Sequence, residues 1–403
     1  MSRSRATKEL ERYERKLVEV DGEFCIPQEA GEARHYIDLG PLFGEVERSP
    51  WALAKKVLLF LPAMYMFILA VQLMKAGAVA VGPQIEGQFP FANAVSVLGF
   101  GWLAAYLVLS GSPVAATAVA LFGAGTLTEL QTFTMLGGSR LGASFIVLVT
   151  GFLYAVRGKA VKNRNDSIGI GIQAMTMTAL VYVPGMLIGY WILRSGALSG
   201  IDLHASEGLE AFMSRAWGPI VDAISGRLPG WALFLVGLGA ILVSFNLIDR
   251  VLPHVSGDGT ASRHVAWLKH PWTMFLIGCL VATLTLSVSV ALTILVPLAS
   301  KGLVKRDEAL PYIMGANIMT LADTVVVAML QPTPVASQIV LALAIGVALV
   351  SVFILAFAYR PVKRGVLALD DWLVTSNQRL AGFVTVLFVI PIACLITGFF
   401  WQA

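Results

Sequence analysis

The chain of 403 residues is 57% hydrophobic and only 13% charged, against about 25% charged in an average soluble domain. This composition excludes an ordinary soluble enzyme, and the formal net charge of +4 gives little support to nucleic-acid binding. Cys25, Cys279 and Cys394 lie far apart in the sequence, so neither a disulfide framework nor a zinc site is expected.

The chain opens with a polar segment, residues 1–55, which we predict to be a cytoplasmic leader. Within it, apolar residues recur at helical spacing among charges from Arg5 to Glu19, which predicts a surface helix. The leader has no apolar core of the signal-peptide type. The first spanning helix is therefore expected to act as the insertion signal.

Uncharged apolar runs follow, several of them near the roughly 20 residues that cross a hydrocarbon core of about 30 Å. They predict an all-α polytopic membrane protein with segments at about 57–76, 94–110, 113–125, 141–156, 168–193, 229–249, 272–299, 311–330, 338–359 and 379–400. We divide the chain into repeat 1 (56–165), a linking helix and extracellular loop (166–228), repeat 2 (229–335) and C-terminal helices (336–403).

Basic residues cluster in the polar breaks, as the positive-inside rule predicts for cytoplasmic loops. Four flanks are placed in the cytoplasm: Lys55 and Lys56; Arg157, Lys159, Lys162 and Arg164; Arg250, Arg263 and Lys269; and Arg360, Lys363 and Arg364. The N-terminus is then cytoplasmic, and the loop at about 194–227 lies outside. This pattern indicates a multi-pass protein of the plasma (inner) membrane.

Two parts of the sequence resemble each other at a fixed spacing. One half carries Leu-Ser-Gly-Ser at 109–112 and Gly-Ser-Arg-Leu-Gly at 138–142. The other half carries Leu-Ser-Val-Ser at 286–289 and Gly-Ala-Asn-Ile-Met at 315–319. In both halves the second motif begins 29 positions after the first, which predicts an internal repeat.

Each serine motif precedes a short apolar stretch, a break at Gly123 and Gly125 or at Ser300 and Gly302, and another apolar run. Interrupted segments in matching places of two halves are typical of broken or re-entrant helices at a transporter's binding site. Such backbone is tolerated at membrane depth only where protein or water satisfies it. The two serine motifs are thus expected to face one polar cavity. Ordinary hairpins with serines packed between helices are the alternative.

At these residues the sequence resembles the type II sodium/phosphate cotransporter family, whose inverted repeats each carry Gln-Ser-Ser-Ser and a Gly-Ala-Asn-Ile-Gly-like segment. The clearest correspondence is 296–320, where Gly-Ala-Asn-Ile at 315–318 keeps the family's letters. The resemblance covers about 57–160 and 229–330. It implies inverted repeats with re-entrant hairpins, and a solute site with sodium ions between the serine motifs.

The departures from the family's motif are symmetrical. Leu109 and Leu286 stand where the family has Gln, and Gly111 and Val288 stand where it has the central Ser. At about 1.5 kcal/mol for each lost hydrogen bond to an anion, the four changes remove about 6 kcal/mol, or about four decades of affinity. Either another group replaces them or the substrate differs.

Hydroxyl groups and helix N-termini suit a phosphate-like anion, whereas sodium prefers several oxygen ligands. The candidates for substrate binding are Ser110, Ser112, Ser287, Ser289, Arg140 and Asn317. The candidates for ion binding are Thr283, Thr285, Thr293, Asn317, Thr320 and Asp323. We predict no catalytic residues, and no cofactor or metal beyond bound sodium ions.

Two of these candidates are charged. Arg140 occupies the repeat position of Asn317, and Asp323 lies in an otherwise uncharged apolar run. An ionisable group at the bilayer centre costs about 2.5–3.5 kcal/mol, so pairing would relieve both residues. We predict that they meet, or nearly meet, across the site. Arg140 then either binds the anion or replaces one sodium ion, and Asp323 holds a sodium ion or a proton. The alternative places Arg140 in a loop at the membrane surface and Asp323 near a helix end.

The sequence therefore favours a secondary active transporter, not an enzyme, that couples sodium to the symport of phosphate or a related small anion by alternating access. A second hypothesis keeps the fold with another solute, coupled to protons or uncoupled. A third is a membrane sensor or assembly protein that uses a transporter scaffold without transport.

Overall fold

The computed structural model describes residues 25–28, 35–38, 50–85, 91–157, 164–204, 207–251, 270–285, 288–293, 295–300 and 304–400. Strands β1 (Cys25–Gln28) and β2 (His35–Asp38) form an antiparallel pair within the leader. The first half of the membrane part contains α1 (Pro50–Ile85), α2 (Ala94–Val108), α3 (Ser112–Gly123), α4 (Glu129–Ala143) and α5 (Phe145–Arg157). The long helix α6 (Arg164–Arg194) and helix α7 (Glu207–Ser225) follow.

The second half repeats this succession of helices. It contains α8 (Gly230–Val251), α9 (Pro271–Thr285), α10 (Val288–Thr293), α11 (Leu295–Ser300), α12 (Arg306–Met319) and α13 (Ala322–Met329). The chain ends with α14 (Pro334–Phe353), a π-helical turn (Ile354–Ala358), α15 (Tyr359–Val374) and α16 (Asn377–Phe400).

Six stretches of helix in the described part of the chain are long and apolar enough to cross a membrane. They are Pro62–Ala80, Glu129–Leu153, Ser167–Arg194, Arg306–Met329, Pro334–Val374 and Asn377–Phe400. Large apolar side chains such as Leu107, Val156 and Phe357 are exposed, which suits contact with lipid. The predicted all-α polytopic membrane protein is confirmed.

The helix boundaries of the two halves agree at an offset of 177 positions. Helix α9 lies 177 residues after α2 and has the same length of 15 residues. The starts of α12 and α13 follow those of α4 and α5 by the same interval. The internal similarity in the sequence therefore corresponds to a similarity in helix succession.

The first serine motif falls at an interruption between helices, as predicted. It lies between α2 and α3, where Leu109 caps α2 in the left-handed conformation with φ 54° and ψ 26°. Of the second motif, Val288 and Ser289 are the first two residues of α10. Its other two residues, 286–287, lie outside the described part of the chain, so the second predicted interruption stays a prediction.

A close helix contact built on glycine also occurs twice. A methyl group placed on Gly138 would lie 2.2 Å from the carbonyl oxygen of Leu98, and one on Gly315 would lie 2.0 Å from that of Phe275. Both separations are far below van der Waals contact. Glycine at these positions therefore allows α4 to pack directly on α2, and α12 on α9.

The corresponding helices α4 and α12 both pack on α6, in opposite directions. Along α4, Phe133 lies against Gly189 and Ser144 contacts Met175, so α4 runs antiparallel to α6. Along α12, Arg306 lies against Gly169, and Asn317 contacts Tyr182 further along α6. Helix α12 thus runs parallel to α6, and the centre of α6 lies between the two.

Several sequence-based expectations differ from the structure. The segment predicted from about 141 begins earlier, because α4 starts at Glu129, where Gln131 forms a capping box with Thr128. The segment predicted from about 311 likewise begins earlier, at Arg306, the first residue of α12. The hairpin β1–β2 was not predicted. The leader helix from Arg5 to Glu19 lies outside the described residues.

Candidate substrate and ion site

Arg140 is the centre of the candidate site. It lies in the last turn of α4 and is one of the largest fully buried side chains in the described part of the protein. Its Nη1 atom lies 3.5 Å from the Oγ atom of Ser112, the first residue of α3, which is long for a hydrogen bond. Arg140 therefore faces the helix break that the first serine motif creates.

Asp323 and Thr324 meet Arg140 from α13, in the other half of the chain. Arg140 Nη2 donates to Asp323 Oδ1 over 3.1 Å and also donates to Thr324 Oγ1. The Thr324 hydroxyl donates in turn to Asp323 Oδ1 over 2.9 Å. The predicted contact between Arg140 and Asp323 is confirmed, and both side chains are at least 93% buried.

One nitrogen of the guanidinium and one oxygen of the carboxylate in this ion pair are unused. Arg140 Nε and Asp323 Oδ2 are both buried and have no hydrogen-bond partner among the described residues. Native proteins rarely leave charged groups unsatisfied, because each lost bond costs desolvation energy. The pair thus offers one donor suited to an anion and one acceptor suited to a cation.

Asn317 lies in a second polar cluster, near the end of α12. Its Nδ2 atom donates to Thr178 Oγ1 over 3.1 Å. The backbone carbonyl oxygen of Asn317 accepts hydrogen bonds of 2.8 Å each from the Tyr182 hydroxyl and from the Thr320 hydroxyl. The side chains of Asn317, Thr320, Thr178 and Tyr182 are all buried. Helix α6 therefore supplies half of this cluster.

Tyr182 and Asn317 link α6 to α12. The hydroxyl of the fully buried Tyr182 donates to the backbone carbonyl of Asn317, and Asn317, Thr320 and Asp323 lie within a stretch of seven residues. The groups from α3, α4, α6, α12 and α13 thus form two neighbouring buried polar clusters between the two halves.

Of the other predicted residues, some lie away from the buried clusters and some lie outside the part of the chain that the structure describes. Ser110 is half-buried within the first helix break. Thr283 is exposed, and its hydroxyl donates to the carbonyl of Cys279 in its own helix, so the structure does not bring it to the cluster. Ser287 and the side chains of Thr285 and Ser289 lie outside what the structure describes.

Sequence reasoning missed Thr178, Tyr182 and Thr324. Thr178 and Tyr182 are four residues apart in an otherwise apolar part of α6, so they share one helix face, and this spacing could have identified them. Thr324 directly follows Asp323. A polar neighbour of an intramembrane carboxylate is a reasonable partner for it.

Comparison with protein families supports an evolutionary relation in the second half of the chain. Residues 233–369 match the model of the family described as Na+/Pi-cotransporter. This range includes Asn317, Thr320, Asp323 and Thr324. Arg140 and the first serine motif lie outside the matched range.

Individual relatives match a shorter segment. The sodium-dependent phosphate transport proteins 2A of Oryctolagus cuniculus and Rattus norvegicus are 34% and 33% identical to this chain over 99 residues. These residues make up 25% of the chain and 15% of each relative, so the matched part spans less than a sixth of the relatives' length. No solved structure matches the chain.

Proposed function

We propose that this chain, whose residues 233–369 match the model of the Na+/Pi-cotransporter family, is a secondary active transporter that couples sodium to the symport of inorganic phosphate or a related small anion. The relatives whose names describe sodium-dependent phosphate transport support this assignment. They also support a transporter that has no enzymatic activity.

The single observation that carries the proposal is the buried guanidinium of Arg140. It lies at the helix break of the first serine motif, where the family's Gln and central Ser are replaced by Leu109 and Gly111. Two charge-assisted hydrogen bonds from an arginine fork contribute about 3–6 kcal/mol. This is close to the roughly 6 kcal/mol lost with the four missing groups, so Arg140 can replace them in binding an anion.

Asp323 and its neighbours offer the matching cation site. The buried carboxylate, the Thr324 hydroxyl and the Thr320 hydroxyl supply hard oxygen atoms of the kind sodium prefers. Asn317 adds a side-chain amide, which contacts Thr178 of α6. We assign Asp323, Thr320 and Asn317 to sodium, and Arg140, Ser110 and Ser112 to the anion. Ser287 and Ser289 are assigned to the anion by their repeat positions.

The proposed architecture is a pair of inverted repeats, 56–165 and 229–335. Movement of the repeats would open the site to one side of the membrane at a time, which is alternating access. The opposite directions of α4 and α12 along α6 support this inversion. The helix interruption at the first serine motif supports a movable element at the site. We propose the plasma membrane as the location, with a cytoplasmic N-terminus.

Uptake of labelled phosphate into proteoliposomes tests the function. We expect accumulation driven by an inward sodium gradient and little uptake when potassium replaces sodium. Arg140→Met should abolish uptake because it removes the anion-binding charge, and Arg140→Lys should reduce it because the planar fork is lost. Arg379→Met is the matched control, since Arg379 stacks on Trp372 at an exposed position.

The other hypotheses give different results in the same assay. Phosphate uptake that follows a proton gradient and ignores sodium would refute sodium coupling and favour the second hypothesis. No uptake of phosphate, sulfate or arsenate by protein that is folded and inserted would refute anion symport. That result would favour a sensor or assembly protein.

A further inference from the structure

The Arg140–Asp323 ion pair joins the two proposed binding groups directly. The nitrogen that contacts Asp323 belongs to the guanidinium that would bind the anion, and the contacted oxygen belongs to the carboxylate that would bind the cation. Each charged group is therefore the other's partner. While this contact is intact, neither an anion nor a cation finds a charged group that is free of its counter-charge.

The unused atoms show how ligands can open the pair. Arg140 Nε is a buried donor without a partner, and Asp323 Oδ2 is a buried acceptor without a partner. An anion with two oxygens binds best across Nε and one terminal nitrogen of the guanidinium. A hard cation binds best to both carboxylate oxygens or to one of them with nearby hydroxyls. Each ligand thus gains most when the contact between Nη2 and Oδ1 is released.

Thr324 makes the exchange reciprocal. Its hydroxyl accepts from Arg140 and donates to Asp323 Oδ1, so it belongs to both sides of the closed pair. Once the guanidinium turns toward an anion, the Thr324 oxygen becomes available to a cation beside Asp323. Tyr182, whose hydroxyl donates to the backbone carbonyl of Asn317, belongs to α6, the helix that both α4 and α12 contact.

We propose that this ion pair is the coupling element of the transporter: anion and sodium bind together because each one releases the charged group that the other requires. This inference rests on the proposed function and adds the physical origin of its coupling. By linkage, the factor by which sodium tightens anion binding equals the factor by which the anion tightens sodium binding. While the ion pair is intact, either ligand alone binds weakly.

Equilibrium binding of labelled inorganic phosphate to the purified full-length protein in nanodiscs tests this proposal, with sodium chloride or choline chloride in the buffer. The wild type is expected to bind phosphate at least tenfold more tightly in sodium. Asp323→Asn frees Arg140 permanently, so it should bind phosphate equally well in both buffers, within about twofold. Its affinity should match or exceed that of the wild type in sodium.

Asp371→Asn is the matched control because it makes the same chemical change at an exposed position, in a pair with Arg306. It should keep the wild-type dependence on sodium. The reciprocal variant is Arg140→Met, which should bind labelled sodium ions without phosphate and show no further gain when phosphate is added. This second variant keeps the proposal testable if Asp323→Asn does not fold.

The outcomes separate the coupling proposal from the function. A wild-type protein that binds phosphate in sodium, with an Asp323→Asn variant that keeps the sodium dependence, would overturn the coupling proposal alone. A wild-type protein that binds no phosphate in either buffer would overturn the proposed function, and the coupling proposal with it. Sodium-independent binding by Asp323→Asn at the affinity that the wild type has in sodium, with sodium dependence kept in Asp371→Asn, would establish the exchange. Sodium-independent binding at the weaker affinity that the wild type has in choline would overturn it, because the loss of a sodium ligand alone explains that result.

Discussion

The buried ion pair can be tested by stability alone, without any assumption about transport. In the double-mutant cycle, Arg140→Met removes one charge and Asp323→Asn removes the other, and the two changes are then combined. After Arg140→Met, the carboxylate of Asp323 keeps only the Thr324 hydroxyl as a described partner. After Asp323→Asn, the guanidinium keeps its charge beside a neutral amide.

The expected magnitudes follow from the burial of both side chains. Removing one partner of a buried pair costs about 3–5 kcal/mol, because the remaining charge stays desolvated without compensation. The double variant leaves no unpaired charge, so its cost should fall to about 1–2 kcal/mol. The coupling energy between the two positions should therefore reach about 4 kcal/mol or more, whereas independent sites add within about 0.5 kcal/mol.

Equilibrium unfolding in mixed detergent micelles measures the four free energies of the cycle. The matched control cycle uses Lys363→Met and Asp307→Asn, a 2.7 Å pair whose side chains are 33% and 36% exposed. Solvent screening limits such a pair to about 1 kcal/mol or less. Additive losses at Arg140 and Asp323, or a coupling energy no larger than in the control cycle, would refute a desolvated, mutually compensating pair.

Two further predictions concern the helix framework. Leu109→Gly should raise the free energy of unfolding by about 1 kcal/mol, because the left-handed φ of 54° costs a residue with a Cβ about that much; Leu107→Gly, within α2, should lower it by a similar amount, and an equal loss in both variants would contradict the strain at Leu109. Gly138→Ala and Gly315→Ala should each lower the free energy of unfolding by about 1–3 kcal/mol, because the added methyl group forces packed helices apart. In the control Gly239→Ala the methyl group meets no atom within 4 Å, so this change should be neutral or stabilising. Thermal unfolding compares the three variants, and unequal losses at Gly138 and Gly315 would argue against equivalent packing in the two halves.

The sequence was most informative where chemistry is unusual for a membrane. A charged residue in an apolar run has few stable surroundings, so the placement of Arg140 and Asp323 against each other could be inferred before the fold was known. The serine motifs were likewise predicted at helix interruptions, because their spacing repeats and Gly residues follow them. Both inferences depend on the cost of placing charged or unpaired polar groups in a membrane, and this cost does not depend on the exact helix boundaries.

Other features depend on tertiary packing that periodicity does not encode. The start of α4 at Glu129 is set by a capping box between Thr128 and Gln131, whereas hydropathy alone placed the segment start near 141. Thr178 and Tyr182 were overlooked because isolated polar residues in spanning helices usually bond to their own backbone. Their spacing places them on one helix face, but their partner is known only from the structure, in which α12 brings Asn317 against α6.

The two charges of the site also break the repeat in a complementary manner. Position 140 carries Arg where the second half has Asn317, and position 323 carries Asp where the equivalent position of the first half has Ile146, again 177 residues apart. Either substitution alone would bury an uncompensated charge and cost several kcal/mol. Because the fold brings the two positions within 3.1 Å of each other, each charge makes the other tolerable. A reversion pair, Arg140→Asn with Asp323→Ile, should therefore fold more stably than either single reversion, and it should lose the anion site together with the cation site.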